Sequence, residues 1–345
     1  PALEQLAVSV DRGVRCVHVA DAATGQLLWR RSVGVDLRGV TATGPDGTTA
    51  LLVDTARREL VCVVLASGQL KWRFPVGEQF APPCVMPDRI LIAAASGKLY
   101  VLDPATGEST QHAVIPQGLT TAPVFAPQRQ VIYQLGEHSS LYVLSAADLQ
   151  CRQVFYLGHA KGSIAVAPVV GLRRLVVAEN RGVAAATLHV LSPSQGGPAS
   201  DARNAASGDD DGAEVAGSVT AKEPGLTIVK TIRLTGHVLT PPVVDGRLLA
   251  VATDRGQVKL FEVDSGDAVT PVAERAPDGK QPRIRYPLLH NGLLWVAGTK
   301  LTKYQIQPQA GQLTPQGIER TYRGDVFDNP LQRIDQQLIS VRRRS

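Results

Sequence analysis

An all-β propeller is the fold this sequence predicts, and three observations predict it. A unit of about 40–45 residues recurs along the 345-residue chain, which is the period of propeller blades. Each unit is made of apolar runs of four to seven residues, a strand length, and no 3.6-residue periodicity runs through them. The runs are rich in Val, Ile, Leu and Tyr and are bounded by Gly, Asp, Ser or Pro, which are turn residues. About four such strands per repeat is the arithmetic of a blade, which buries both of its faces only when it stacks against neighbours.

The clearest unit is APPCVMPDRILIAAASGKLYVLDPATGE, residues 81 to 108. It runs proline, short gap, apolar run, Gly turn, second apolar run, then Asp-x-x-x-Gly. Pro83, Pro123, Pro168, Pro242, Pro287 and Pro330 each precede an apolar run, at spacings of 40, 45, 74, 45 and 43 residues. The 74 is one repeat plus an insertion of roughly thirty residues, given that units of this length repeat. A second landmark is the turn after the second run: DAATG at 21 to 25, LASG at 65 to 68, DPATG at 103 to 107, DSG at 264 to 266 and QPQAG at 307 to 311. The copy at SAADL, 145 to 149, has lost its glycine. ASGKLYVLD and TDRGQVKLFEVD read as hairpins about Gly97 and Gly256, where a tight turn needs positive φ. Pro1 to Asp21 spans the same 21 residues as Pro83 to Asp103, so Pro1 sits at the repeat's own proline position. This gives seven full repeats and an eighth that starts at NPLQRIDQQLISVRR and stops, an array expected to be a piece of a longer protein. The whole of 1–345 reads as a single propeller domain. Residues 193–225, rich in Ser, Gly, Ala and Asp, interrupt the fifth repeat without an apolar run and are expected to be a disordered insertion.

Composition narrows the function classes. Hydrophobic residues make up 44% and charged residues 19%, so the chain as a whole is built to bury a core. No uninterrupted apolar run of about 18 residues exists, so no helix is expected to span a bilayer. The net charge is +5, and Arg342, Arg343 and Arg344 carry three of it. The remaining +2 gives little field for a polyanion, and nucleic acid is not an expected partner. Cysteines stand at 16, 62, 84 and 151, with no CxxC, which is neither a disulfide framework nor a zinc signature. No H-E-x-x-H, G-x-S-x-G or P-loop occurs. GDDDGAE, with Asp209, Asp210 and Asp211, lacks the terminal Glu and the helical flanks of a calcium loop.

VADAATGQLLW at 19 to 29 reads V-x-D-x-x-T-G-x-x-x-W, and LASGQLKW at 65 to 72 and VLDPATGE at 101 to 108 are further, partial copies. This motif resembles the bacterial quinoprotein-like (PQQ-like) propeller repeat. In that family the Trp packs between blades, which implies a blade-docking role for Trp29 and Trp72; the matching positions elsewhere hold Gln111, Thr270 and Pro315. Eight blades is the family's common number, so the resemblance implies an eight-bladed ring, with seven blades as the alternative. One branch of the family consists of dehydrogenases that hold pyrroloquinoline quinone and calcium. The other, BamB-like branch is non-enzymatic: binding and assembly scaffolds, and sensor regions of larger signalling proteins. The enzymes are expected to carry a vicinal Cys-Cys pair, a calcium-binding acidic set and a Trp beneath the cofactor. No two cysteines are adjacent here, and Trp295, in LLHNGLLWVAG, reads as core. The expectation is therefore a non-catalytic scaffold with no catalytic, cofactor or metal site, extracytoplasmic by resemblance. Quinoprotein oxidoreductase is the alternative, and a ligand-sensing domain the second.

The segments that enter each repeat just before its proline read VGEQFAPP, IPQGLTTAP, LGHAKGSIAVAP, TGHVLTPP, DGKQPRIRYP and YRGDVFDNP. In a propeller these connections fall on one end of the ring. Gln79, Gln117, Lys161, His237, Arg285 and Asp325 are then expected to surround one mouth, the candidate surface for a protein or an extended polar ligand. Lys161, His237 and Arg285 predict a basic mouth, with Asp325 opposing.

Overall fold

The computed structural model describes residues 6–11, 16–21, 24, 26–32, 37–158, 160–171, 173–193, 225–265, 268–277, 282–290, 292–298, 301–306, 311, 313–316, 325–326, 332–334, 337–339 and 343–344. Among them the regular structure is all strand. Sheet 1 has three strands, β1 (Leu6–Asp11), β2 (Cys16–Asp21) and β3 (Leu27–Ser32). Six four-stranded sheets follow. Sheet 2 is β4 (Leu37–Thr43), β5 (Thr49–Asp54), β6 (Glu59–Val64) and β7 (Leu70–Pro75); sheet 3 is β8 (Cys84–Val85), β9 (Ile90–Ala93), β10 (Lys98–Leu102) and β11 (Ser109–Val114). Sheet 4 is β12 (Val124–Ala126), β13 (Val131–Leu135), β14 (Ser140–Ser145) and β15 (Cys151–Tyr156); sheet 5 is β16 (Val169–Val170), β17 (Leu175–Arg181), β18 (Ala185–Pro193) and β19 (Leu226–Thr235). Sheet 6 is β20 (Val243–Asp245), β21 (Leu248–Ala252), β22 (Val258–Ser265) and β23 (Ala268–Arg275); sheet 7 is β24 (Tyr286–His290), β25 (Leu293–Ala297), β26 (Thr302–Gln305) and β27 (Thr314–Gln316). At the C-terminal end β28 (Asp325–Val326) pairs with β31 (Arg343–Arg344), and β29 (Gln332–Ile334) with β30 (Gln337–Ile339).

Each four-stranded sheet is an antiparallel meander in chain order. Neighbouring sheets meet at or near their first strands, β4 by β1 and β8, β16 by β12 and β20, and β24 by β20 and β21. Sheet 1, counted in the sequence as a full repeat, has three strands among the described residues, and residues 1–5 lie outside them.

The sequence pattern follows from this stacking. Second and third strands are covered on both faces, and β5, β9, β13 and β14 are buried at every position. Such strands read as mostly apolar runs, with Thr49, Asp54, Gln134, Ser140 and Ser145 as the buried polar exceptions. Fourth strands face solvent at the outside and read as mixtures, as in STQHAV of β11. The core is therefore a set of layers between sheets. One cluster joins Leu51, Leu60 and Trp72 of sheet 2 to Ile90, Ile92 and Leu102 of sheet 3; the next joins Leu91, Leu99 and Val101 to Ile132, Tyr142 and Leu144 of sheet 4. Each fully buried side chain of this size contributes roughly 1.5–3 kcal/mol. The expected hairpins form at Gly97 (φ 95°) and Gly256 (φ 87°).

Candidate functional site

The two ends of the sheets carry different loops. Turns between third and fourth strands lie at one end. The hairpins between second and third strands, together with the connections into the next sheet, lie at the other.

At the first end one side chain on the fourth strand reaches forward to the following sheet. Asp103 Oδ1 accepts from the backbone N–H groups of Ala105 (2.7 Å) and Thr106 (2.9 Å), which folds DPATG into a tight turn. The same two N–H groups hold the Asp103 carboxyl below its usual range. Trp72 lies against this turn: its Nε1 donates to Pro104 O at 3.0 Å, and a Cβ on Gly107 would stand 2.5 Å from the indole. Trp29 repeats the arrangement one sheet earlier. Its Nε1 donates to Leu65 O at 2.5 Å, and a Cβ on Gly68 would meet its ring at 2.7 Å. Both tryptophans thus dock one sheet on the next. The glycine of each turn serves twice, supplying positive φ (66° at Gly68, 75° at Gly107) and the flat floor on which the indole rests.

The next sheets keep the position and change the chemistry. Gln111 Nε2 donates to Asp148 O at 2.9 Å, and the turn it meets holds Leu149 where the others hold glycine. Leu149 keeps the left-handed backbone (φ 60°) and its side chain is buried. Gln153 Oε1 accepts from Leu226 N at 3.0 Å, and Lys230 Nζ donates to Val269 O at 2.7 Å. Trp29, Trp72, Gln111, Gln153 and Lys230 each stand at the same register, beside a bulge between third and fourth strands. Thr270 and Pro315, at the matching places in sheets 6 and 7, are exposed. Trp295, expected in the core, is half-buried with Lys303 Nζ 5.2 Å from its ring centre.

At the other end the expected mouth residues take their places on shared connections. Gln79, Gln117, Lys161, His237 and Arg285 all lie between a fourth strand and the next inner strand. Asp325 opens β28, opposite Arg344, and its side chain lies outside the described residues. The connections are stitched to the hairpins beside them. Gln79 O accepts from Ala95 N at 2.8 Å, while Glu78 takes both the N–H and the hydroxyl of Ser96, at 2.6 and 2.7 Å. Gln117 Nε2 donates to Ser140 Oγ (3.0 Å), and its Oε1 accepts from His138 N (3.3 Å). Lys161 Nζ meets Glu137 Oε2 at 3.1 Å. His237 N donates to Asp254 Oδ1 (2.8 Å), and its ring Nε2 lies 3.0 Å from Gly182 O. Arg285 O accepts from Thr240 Oγ1 at 2.6 Å.

This face is less uniformly basic than the connections alone suggest. Beside sheet 4 Glu137 pairs with Lys161, and beside sheet 3 Glu78 holds Ser96; Glu137 sits on a hairpin that the sequence reading left out. Beside sheet 5, Glu179 is buried, with Arg181 Nη2 2.7 Å and His189 Nε2 2.9 Å from its Oε2. Among the described residues no group of three or more His, Cys, Asp or Glu side chains is placed to hold a metal ion, and Cys62, Cys84 and Cys151 are free thiols. The chain has no adjacent cysteines, so the vicinal pair of the quinone enzymes is not among its residues. No helix among the described residues is long and apolar enough to cross a membrane.

Comparison with known proteins agrees with this architecture. Residues 15–110 match a family model described as outer membrane protein assembly factor BamB. No curated protein matches the chain in sequence. Among solved structures, BamB from Moraxella catarrhalis superposes with a TM-score of 0.66 at 14% identity, covering 97% of this chain and 90% of that one. The dihydro-heme d1 dehydrogenase NirN, in complex with DHE, gives 0.68 at 16% identity, covering 96% of this chain and 66% of that one. The computationally designed Ika8 protein gives 0.66 at 13% identity, covering 97% and 90%. Identities this low speak for fold alone. In sequence over residues 15–110, and in fold over nearly its whole length, the chain is similar to the PQQ-like β-propeller family that includes BamB.

Proposed function

We propose that this propeller is a non-catalytic binding or assembly scaffold, working outside the cytoplasm, whose partner surface is the end formed by the connections and hairpins. The observation that carries this reading is the stitching of that end. Connections into sheets 3 to 7 are hydrogen-bonded to neighbouring hairpins, which makes a set of unlike loops into one rigid platform. Loops held by a rigid scaffold are where recognition residues concentrate, and rigidity reduces the ordering cost of binding. The similarity to BamB supports a protein partner, and with it the location. An oxidoreductase reading has one observation in its favour, the likeness of fold to NirN; fold does not fix function. Two measurements test the proposal. Reversing Lys161 and Arg285 together to glutamate is expected to weaken partner capture, and Lys161→Glu alone, at an exposed side chain, should leave the melting temperature nearly unchanged, since exposed charges contribute little to stability. Titration with pyrroloquinoline quinone and calcium is expected to leave the cofactor's absorbance unaltered. A bound-cofactor spectrum would replace the scaffold with the enzyme.

A further inference from the structure

The connection end is not chemically even from sheet to sheet, and the unevenness points to a partner class. On the side of sheets 5 to 7, Val183 at a hairpin tip is 89% exposed, Leu239 39% and Ile284 48%. These three stand on loops that are bonded to one another. Asn180, beside the Val183 hairpin, exchanges two hydrogen bonds with Val238, at 3.1 and 2.8 Å; His237 reaches Gly182; Thr240 bonds Arg285 O; and Arg283 N donates to Asp254 O at 2.9 Å. The apolar side chains therefore stand on adjoining loops of one end, and exposed apolar groups gathered in one region mark interaction sites.

Cations interleave with them. Arg283 and Arg285 lie on the same loops, and Arg181 beside them is paired with Glu179. The carboxylates there, Glu179 and Asp254, are only 3% and 5% exposed and bonded inward to Arg181, His189 and His237 N. Asp278 and Lys280, in the same connection as Arg283, cancel in charge. Glu274, at the end of β23, is occupied by Lys259 Nζ at 3.1 Å. On the side of sheets 3 and 4 the balance is different, because Glu78 and Glu137 are on the surface and Lys161 is paired.

We infer that the sector made by Val183, Leu239 and Ile284 with Arg283 and Arg285 binds an acidic, amphipathic segment of a partner protein, one whose apolar side chains cover the three hydrophobic residues while its carboxylates meet the two arginines. This rests on the mouth being the partner surface. Arginine forks suit carboxylates, and a patch with an apolar centre and a charged rim has the anatomy of a protein interface.

The test uses a short fluorescent peptide alternating Glu with Leu, its analogue with Lys for Glu, and fluorescence anisotropy on the whole chain. The Glu peptide is expected to bind more weakly as salt rises, and the Lys analogue is expected not to bind. Arg283→Glu with Arg285→Glu, and separately Val183→Asp, should each weaken the Glu peptide about tenfold or more, the effect of roughly 1.4 kcal/mol, while Lys161→Glu stays near the parent. Val183 is so exposed that its substitution should leave the melting curve in place. If Lys161→Glu weakens binding and the sector variants do not, the mouth reading stands and the sector assignment is overturned. If the Glu peptide fails to bind, or the Lys analogue binds equally, the acidic-partner inference is overturned, and the mouth is then judged separately by where its own partner protects it.

Discussion

At the scale of single residues, the pairing of indole and glycine explains why the turn motif and the tryptophan travel together. A side chain at Gly107 has no room while Trp72 is present, and Trp72 loses its floor if one is added. Trp72→Ala should cost about 3–5 kcal/mol in denaturant unfolding, the usual effect of emptying a large core site. Sheet 4 shows the exchange already made: Gln111 reaches forward and Leu149 fills the turn. Trp72→Gln with Gly107→Leu is therefore expected to be less damaging than the sum of its single changes, by about 0.5–3 kcal/mol, the range for touching residues. Additivity would mean that indole and glycine are not coupled. Asp103 makes a separate prediction. Its folded pKa lies below the ordinary 3.8, so the turn gains stability above that value and loses it as pH falls through the depressed one. Asp103→Asn should flatten the acid limb of the melting temperature against pH and lower the curve above pH 5 without changing its shape there.

At the scale of elements, most of the strands were legible because their signals are local. Apolar runs such as RILIA and KLYVL, with Gly97 between them, carry their own turn chemistry, and strands buried on both faces carry few polar residues to blur the run. The docking position was legible only where a turn glycine marked it. Gln153 follows a turn whose glycine has become Leu149, and Lys230 follows the insertion, which replaces the turn altogether; both were missed, although both reach the next sheet. The reading of residues 193–225 as disordered falls, apart from Pro193 and Gly225, outside the described residues. Its ends are nonetheless fixed, since Pro193 and Leu226 are register partners across β18 and β19. Replacing residues 194–225 by a five-residue turn should preserve the circular-dichroism spectrum and stabilise the fold by about 1–2 kcal/mol, from the smaller loop to close. Loss of the fold would show that the insertion packs on the sheets.

At the scale of the whole molecule, the antiparallel meander separates docking from recognition. Third-to-fourth-strand turns lock sheet to sheet at one end, and the insertion springs from that end too. Connections and hairpins make the other. The connections could be assigned to one end from the sequence because every repeat enters at its proline. The charge balance could not, because Glu137 and Asp254 come from hairpins and are brought beside Lys161 and His237 only by the sheet register. The central claim is that the connection end is the partner surface. Hydrogen exchange of the chain, alone and in its native complex, tests it most directly. Protection on binding is predicted in residues 76–83, 115–123, 157–168, 236–242 and 282–287 and in the hairpins beside them. Protection confined to the third-to-fourth-strand turns, to the outer strands or to residues 194–224 would contradict it.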